Sequence, residues 1–356
     1  MSIVQTLASA ASGGDMSYGA RLRQLAFISI AFLLLAGLFG AVAGGFWLIN
    51  LTAAYATMLA LIGANLLFGQ LGLVSLAQFA LVGVGGWITL RLFHAFHPPF
   101  ELSMFAGAVT ASLVGVLWGL PALRFRGVYL ALVTLMLAGA FQAFISAANF
   151  PSGGSGILGT SGMEGKPRLL LDRPPYAEGD LAWFFYVAVA CLVGLIIVEL
   201  HRRSKPGRAW ALIRRDPRLA AASGARIVLY QAWAFALAGF LAGMSGALLA
   251  GTYRQLDATG FGAFESITLF AASILGGAGN WFGAMMGGLL MRAVPTLLDD
   301  IGVPATLGNA IFGLGLMLAV IKGPEGLAGL FDEVVAIAKG PGTWRTCRGL
   351  EIFWKT

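Results

Sequence analysis

LAWFFYVAVACLVGLIIVEL (181–200) carries no charge before Glu199 and is long enough to cross a membrane as a single helix. About 20 residues at 1.5 Å each span the ~30 Å hydrocarbon core of a bilayer. LAFISIAFLLLAGLFGAVAGGFWLI (25–49) reads the same way. In lipid no water satisfies backbone amides and carbonyls, so such a run spans as a helix, which bonds its own backbone. The whole chain follows suit: its 356 residues are 58% hydrophobic and 11% charged, against about 45–50% and 25% in a soluble domain. An all-α integral membrane protein is the reading that absorbs that excess.

Cuts at polar turns and basic clusters place spans near 25–49, 51–69, 71–93, 102–121, 127–148, 181–200, 227–251, 265–279, 281–298 and 305–321. These are about ten transmembrane helices, with broken helices or re-entrant segments at the Gly-rich points Gly69–Gly72 and Gly276–Asn280. An even number puts both termini on one side. With the termini cytoplasmic, 17 of the 23 basic residues fall on the inner side, eight of them between Arg202 and Arg226; Lys and Arg concentrate in cytoplasmic loops. The expected organisation is a cytoplasmic tail 1–24, a transmembrane domain 25–322 and a cytoplasmic tail 323–356. Spans two to five and seven to ten run in opposite senses and are candidate halves of an inverted repeat.

The net charge of +7 is accounted for by this inward bias, so nucleic acid is not an expected partner. Cys191 lies in an apolar span and Cys347 in the tail, which suits neither a disulfide framework nor a thiolate metal site. His94, His97 and His201 lack ligand spacing. Residues 1–24 are polar and precede a run of full spanning length, so a retained first helix is expected rather than a signal peptide. The chain holds 50 glycines, about twice the ordinary ~7% usage. Gly40/Gly44, Gly115/Gly119, Gly239/Gly243 and Gly279/Gly283/Gly287 stand four apart on single faces, a pattern that lets helix backbones approach closely.

HRRSKPGRAWALIRRDPRLAAASGAR (201–226) is the long inner loop. Asp216 is placed to cap a helix whose first position is Pro217, and Gly224 suits a left-handed exit. Gly207–Arg215 reads as a second short helix with Trp210 and Ile213 on one side. A basic helical elbow across the membrane face is the expected result, either an ordinary positive inner loop or a docking lever for a cytosolic partner. Within the spans Asn65, Gln70, Ser75 and Gln78 cluster around the Gly69–Gly72 break, where bared backbone groups could border a translocation pathway. The outer loop 149–180 is rich in Gly and Pro. Its Gly165–Lys166 pair fails as a phosphate loop, because Thr160 and Pro167 replace the required Gly and hydroxyl residue.

From about residue 51 to about residue 330 the chain resembles the LivM-type permease subunit of ABC importers for branched-chain amino acids. The resemblance rests on Gly207, Arg208, Ala209, Arg214, Arg215, Asp216, Ala220, Ala221 and Gly224 in the elbow. NLLFGQLGLVSLAQF (65–79), LRFRGVYLALVTLMLA (123–138), ILGGAGNWFGAMMGG (274–288) and PEGLAGL (324–330) agree in order. Where that family often has Ser-Leu-Gly-His, this chain has Val74, Ser75, Leu76, Ala77 and Gln78, and Gln78 does not titrate. The resemblance implies that the elbow seats an ATPase and that the outer loop faces a substrate-binding protein. It further implies a second, LivH-type permease subunit and two cytosolic ATPases that hydrolyse ATP, no cofactor on this chain, and a bacterial inner-membrane location. The cargo would be Leu, Ile, Val or a related small solute; a urea-type permease shares the pattern. A secondary transporter or channel is the other class, weakened because no Asp, Glu, Lys or His sits at the centre of a span and Glu199, Glu265, Arg91 and Arg292 lie toward helix ends or uncertain boundaries. An embedded enzyme finds no metal or nucleophile set.

Overall fold

The computed structural model describes residues 44–125, 127–147, 171–256, 258–277 and 281–302, with position 307 and a scatter of helical positions between 29 and 40. Two compact units divide at Ala43 and Gly44. The second has only helices as its regular elements among the described residues. It runs α1 (Gly45–Asn65, continued by a π turn Leu66–Gln70), α2 (Gln78–Phe96), α3 (Phe100–Ala122), α4 (Val128–Ala147) and α5 (Asp180–Arg203). There follow α6 (Lys205–Arg215), α7 (Pro217–Ala222), α8 (Ile227–Tyr253), α9 (Ala263–Gly276) and α10 (Trp281–Asp300). Six of these, α1 to α5 and α8, are long and apolar enough to cross a membrane, while α9 and α10 are shorter apolar helices. This is a multi-pass membrane architecture. The expected crossing at 305–321, both tails and most of the 149–180 loop lie outside the described residues.

Two expected boundaries move. The chain passes from Gly45 to Gln70 without a cut at Asn50, because Asn50 Nδ2 donates to Phe46 O at 3.2 Å one turn back and its polarity is satisfied inside the helix. Conversely, α2 begins at Gln78 rather than near residue 71. The π turn ends at Gln70 and is followed, after Leu71, by Gly72, whose φ of +69° is left-handed; Leu73–Ala77 continues without helix.

α8 is the hub, packing on α1, α2 and α3. Helix α8 and α1 are almost wholly enclosed, whereas α3, α4 and α5 keep broad apolar faces outward, among them Leu113, Leu117, Met136 and Val189. The glycine faces are what allow α8 its position. A Cβ on Gly243 would stand 2.7 Å from Ala108 Cα, and one on Gly239 2.6 Å from Ala111 O, both in α3. Gly283 and Gly287 likewise meet the backbone of the Ala272–Gly277 stretch. At the C-terminal end of α8 the buried Arg173 donates to Gly251 O (3.0 Å) and Thr252 O (3.2 Å), and pairs with Asp180 at 2.8 Å. The guanidinium thus caps terminal carbonyls of α8 and ties them to the start of α5.

Candidate functional site: a keyed elbow and a polar break

The 201–226 loop folds as two short helices. Ser204 ends α5 with its hydroxyl and amide both on His201 O (2.8 and 3.1 Å), and α6 turns back sharply. At Gly207 a Cβ would overlap the carbonyl of Arg202, so only glycine lets α6 lie this close to the last turn of α5. The apolar face of α6 then points inward. Trp210 is fully buried and its Nε1 donates to Tyr230 O at 2.8 Å, pairing an aromatic body with a satisfied polar tip. Trp210 and Ile213 join one cluster with Leu66, Leu67 and Leu71 of the break and Phe235 and Ala238 of α8. Arg214 adds a hydrogen bond from Nη1 to Gly69 O. The elbow is therefore keyed simultaneously to the end of α1 and the start of α8.

The caps expected from the sequence are present. Asp216 Oδ1 accepts from Arg218 N at 2.8 Å with Pro217 at the first helical position. At the far end Ala225 N bonds Ala220 O and Gly224 N bonds Ala221 O, both at 3.0 Å, with Gly224 at φ +83°; this is a Schellman exit. With one face keyed, Arg208, Arg214, Arg215 and Arg218 remain on the exposed side with Leu212 and Leu219.

Residues 46–321 match the family model described as branched-chain amino acid transport system / permease component. The chain belongs to that family. It is 26% identical over 287 residues to the high-affinity branched-chain amino acid transport system permease protein LivM of Escherichia coli, a match covering 75% of this chain and 66% of that one. The LivM protein of Salmonella typhimurium is also 26% identical, over 283 residues and the same shares. BraD of Pseudomonas aeruginosa, a high-affinity branched-chain amino acid transport system permease protein, is 30% identical over 145 residues, 41% of this chain and 46% of that one. The chain thus spans just under two thirds of the length of the LivM relatives. No solved structure matches it.

In this permease the four polar residues around the break have different surroundings. Asn65 is buried and its Oδ1 accepts from Ser273 Oγ, joining α1 to α9. Gln78 is buried against Gly63 of α1, and its Nε2 donates to Ala238 O of α8 at 2.9 Å. Both fasten helices together. Gln78 Oε1 is buried with no partner among the described residues. Ser75 is buried in the non-helical segment, where Leu76 N finds Thr134 Oγ1 at 2.9 Å, and Gln70 is half-buried.

A cavity of about 310 Å³ lies elsewhere, walled by Phe79, Leu249, Leu256 and Phe261 and reached by Tyr253, Gln255 and Arg292. Sequence reasoning missed its charged member. Arg292, expected toward a helix end or an uncertain boundary, stands well inside α10, which continues to Asp300. Its Nε donates to Thr57 Oγ1 at 3.3 Å, and its Cζ lies 5.9 Å from the centre of the Phe79 ring. The available signal was a lone cation within the apolar run 281–298. Arg91 is also buried, in α2.

Proposed function

We propose that this chain is the transmembrane permease subunit of an ATP-driven importer, forming the pathway for Leu, Ile, Val or a related small solute. It pairs with a second, related permease subunit, two cytosolic ATPases and an extracytoplasmic binding protein, in a bacterial inner membrane. The observation that carries this reading is the elbow: two capped helices with a basic outer face, wedged through Trp210 and Arg214 between α1 and α8. A lever fastened to the most enclosed helices transmits a push that a loose loop would dissipate. Gly207, Arg208, Arg214, Arg215, Asp216, Ala220, Ala221 and Gly224 form the ATPase-coupling element; Asn65, Gln70, Ser75 and Gln78 border the pathway, Asn65 and Gln78 being closed off in this state by the helix contacts they make.

The test is ATP-dependent L-leucine uptake into vesicles holding the chain with its co-expressed partner subunits. Wild type should accumulate leucine and the ATPase should co-purify. Arg215→Glu reverses a charge on the exposed face, so ATPase retention should fall severalfold at low salt and recover as ionic strength rises, since screening weakens the new repulsion. Salt-independent wild-type retention would remove Arg215 from the contact.

For the pathway, cysteines replace Asn65, Gln70, Ser75 or Gln78 in a background lacking Cys191 and Cys347. Gln70→Cys should react readily with a small polar thiol reagent. Asn65→Cys and Gln78→Cys should react slowly and accelerate several-fold when nucleotide changes the state of the complex, because their present surroundings are packed helix contacts. Uniform inertness across nucleotide states would leave them as packing groups.

A further inference from the structure

The geometry of the 310 Å³ cavity assigns to it, we infer, a subsite for apolar α-amino acids in which Arg292 anchors the carboxylate. This rests on the importer reading and names the chemistry of its cargo inside the permease. The volume sits at the lower end of ligand pockets, which run about 300–1,000 Å³. Phe79, Phe261, Leu249 and Leu256 give it aromatic and aliphatic walls, and Arg292 is its charged lining residue. A cation held within an apolar bundle is costly and by general rule faces a partner or a solute pathway.

Among the described residues, the side-chain hydrogen bond of Arg292 runs from its ε N–H to Thr57 Oγ1 at 3.3 Å. The ring of Phe79, with Cζ 5.9 Å from its centre, supports the guanidinium from one side. No carboxylate pairs with it among the described residues. What remains is a planar fork of terminal N–H donors beside the cavity, the geometry that takes a carboxylate through two parallel hydrogen bonds. An α-amino acid bound there places a branched aliphatic side chain against the apolar walls. The carbonyl oxygen of the Gln255 side chain, on the exposed part of the lining, is an acceptor suited to the ammonium group. Thr57 then serves as a positioning residue, fixing the guanidinium by the donor that the carboxylate does not need.

The experiment uses the full complex in nanodiscs without the binding protein, so that only the membrane site is read. Gly260→Cys, in a background lacking Cys191 and Cys347, lies on the cavity lining where a Cβ meets nothing within 4 Å, and reports occupancy through its rate of thiol labelling. L-Leucine should slow labelling, and L-leucinamide, which keeps the side chain and ammonium but lacks the carboxylate, should not. Arg292→Gln should raise the leucine concentration needed for protection by about 10- to 100-fold, the effect of losing a charge-assisted bidentate contact, and Arg292→Lys should fall between. Equal protection by leucine and leucinamide on the unsubstituted Arg292 background overturns the assignment, even if Arg292→Gln does not fold. So does leucine import by Arg292→Gln with wild-type concentration dependence. If wild type imports no leucine at all, the importer reading fails with it, a result distinguishable from the other two because those require leucine transport to be intact.

Discussion

Gly246→Leu is expected to abolish the folded permease. Gly246 lies in α8 where that helix crosses α2, and a Cβ there would overlap Val82 O and stand 2.7 Å from Gly86 N. The obstacle is backbone, which no rotamer change relieves. Gly85 has the same relation to Gly243 one turn away, so the two helices meet through glycine on both sides. A leucine must push α8 outward, and α8 also packs on α1 and α3, so contacts in three directions fail together. In lipid this packing is a main driving force, since apolar side chains gain little by leaving hydrocarbon for a protein interior. The control is Gly139→Leu in α4, where a Cβ meets nothing within 4 Å. Detergent extraction followed by size exclusion should show a monodisperse Gly139→Leu protein at wild-type yield and little or no Gly246→Leu protein. A monodisperse Gly246→Leu protein would mean that α2 and α8 are not in backbone contact.

These glycines also mark how far the sequence could be read. Span centres were legible because length and apolarity alone define a crossing: 102–121, 127–148, 181–200 and 227–251 are close to α3, α4, α5 and α8. The elbow was legible because its signals are local and outside lipid, where Asp-Pro, a buried Trp210 and a left-handed Gly224 follow ordinary helix rules. Facing was legible only at glycines, since a helix apolar on every side shows no stripe to say which part meets protein and which meets lipid. For that reason the location of the cavity could not be read. Arg292 and Phe79 are far apart in sequence and meet because α10 folds back along α1. Gln78 and Asn65 stand out in the sequence for their polarity, but the helix each hydrogen-bonds, through Ala238 and Ser273, is a partner that no local pattern announces. Membership in the permease family rests on residues 46–321.

The elbow's packing tolerates a side chain least at Gly207. Gly207→Val should leave insertion intact and sever ATP hydrolysis from transport. α6 is held against α5 by the missing side chain, because a Cβ at 207 would overlap the Arg202 carbonyl and lie 2.7 Å from Arg202 Cα. Forcing α6 away draws Trp210 from its bond to Tyr230 O at 2.8 Å and opens the cluster with Leu66, Leu71 and Phe235. Loss of a buried tryptophan's packing is an effect of about 3–5 kcal/mol, enough to unseat the elbow. The apolar spans themselves are untouched, so extraction yield should stay near wild type. Gly224→Val provides the calibration. Space there is open, with nothing within 4 Å of a Cβ, and the penalty comes only from φ +83°, about 1–2 kcal/mol for a left-handed residue and more for a β-branched one. Leucine uptake should therefore be lost in Gly207→Val and only reduced in Gly224→Val, with ATPase co-purification following the same order. Wild-type uptake by Gly207→Val at normal expression would show that the elbow need not be rigid, and the loop would then be an ordinary basic inner loop of a membrane protein.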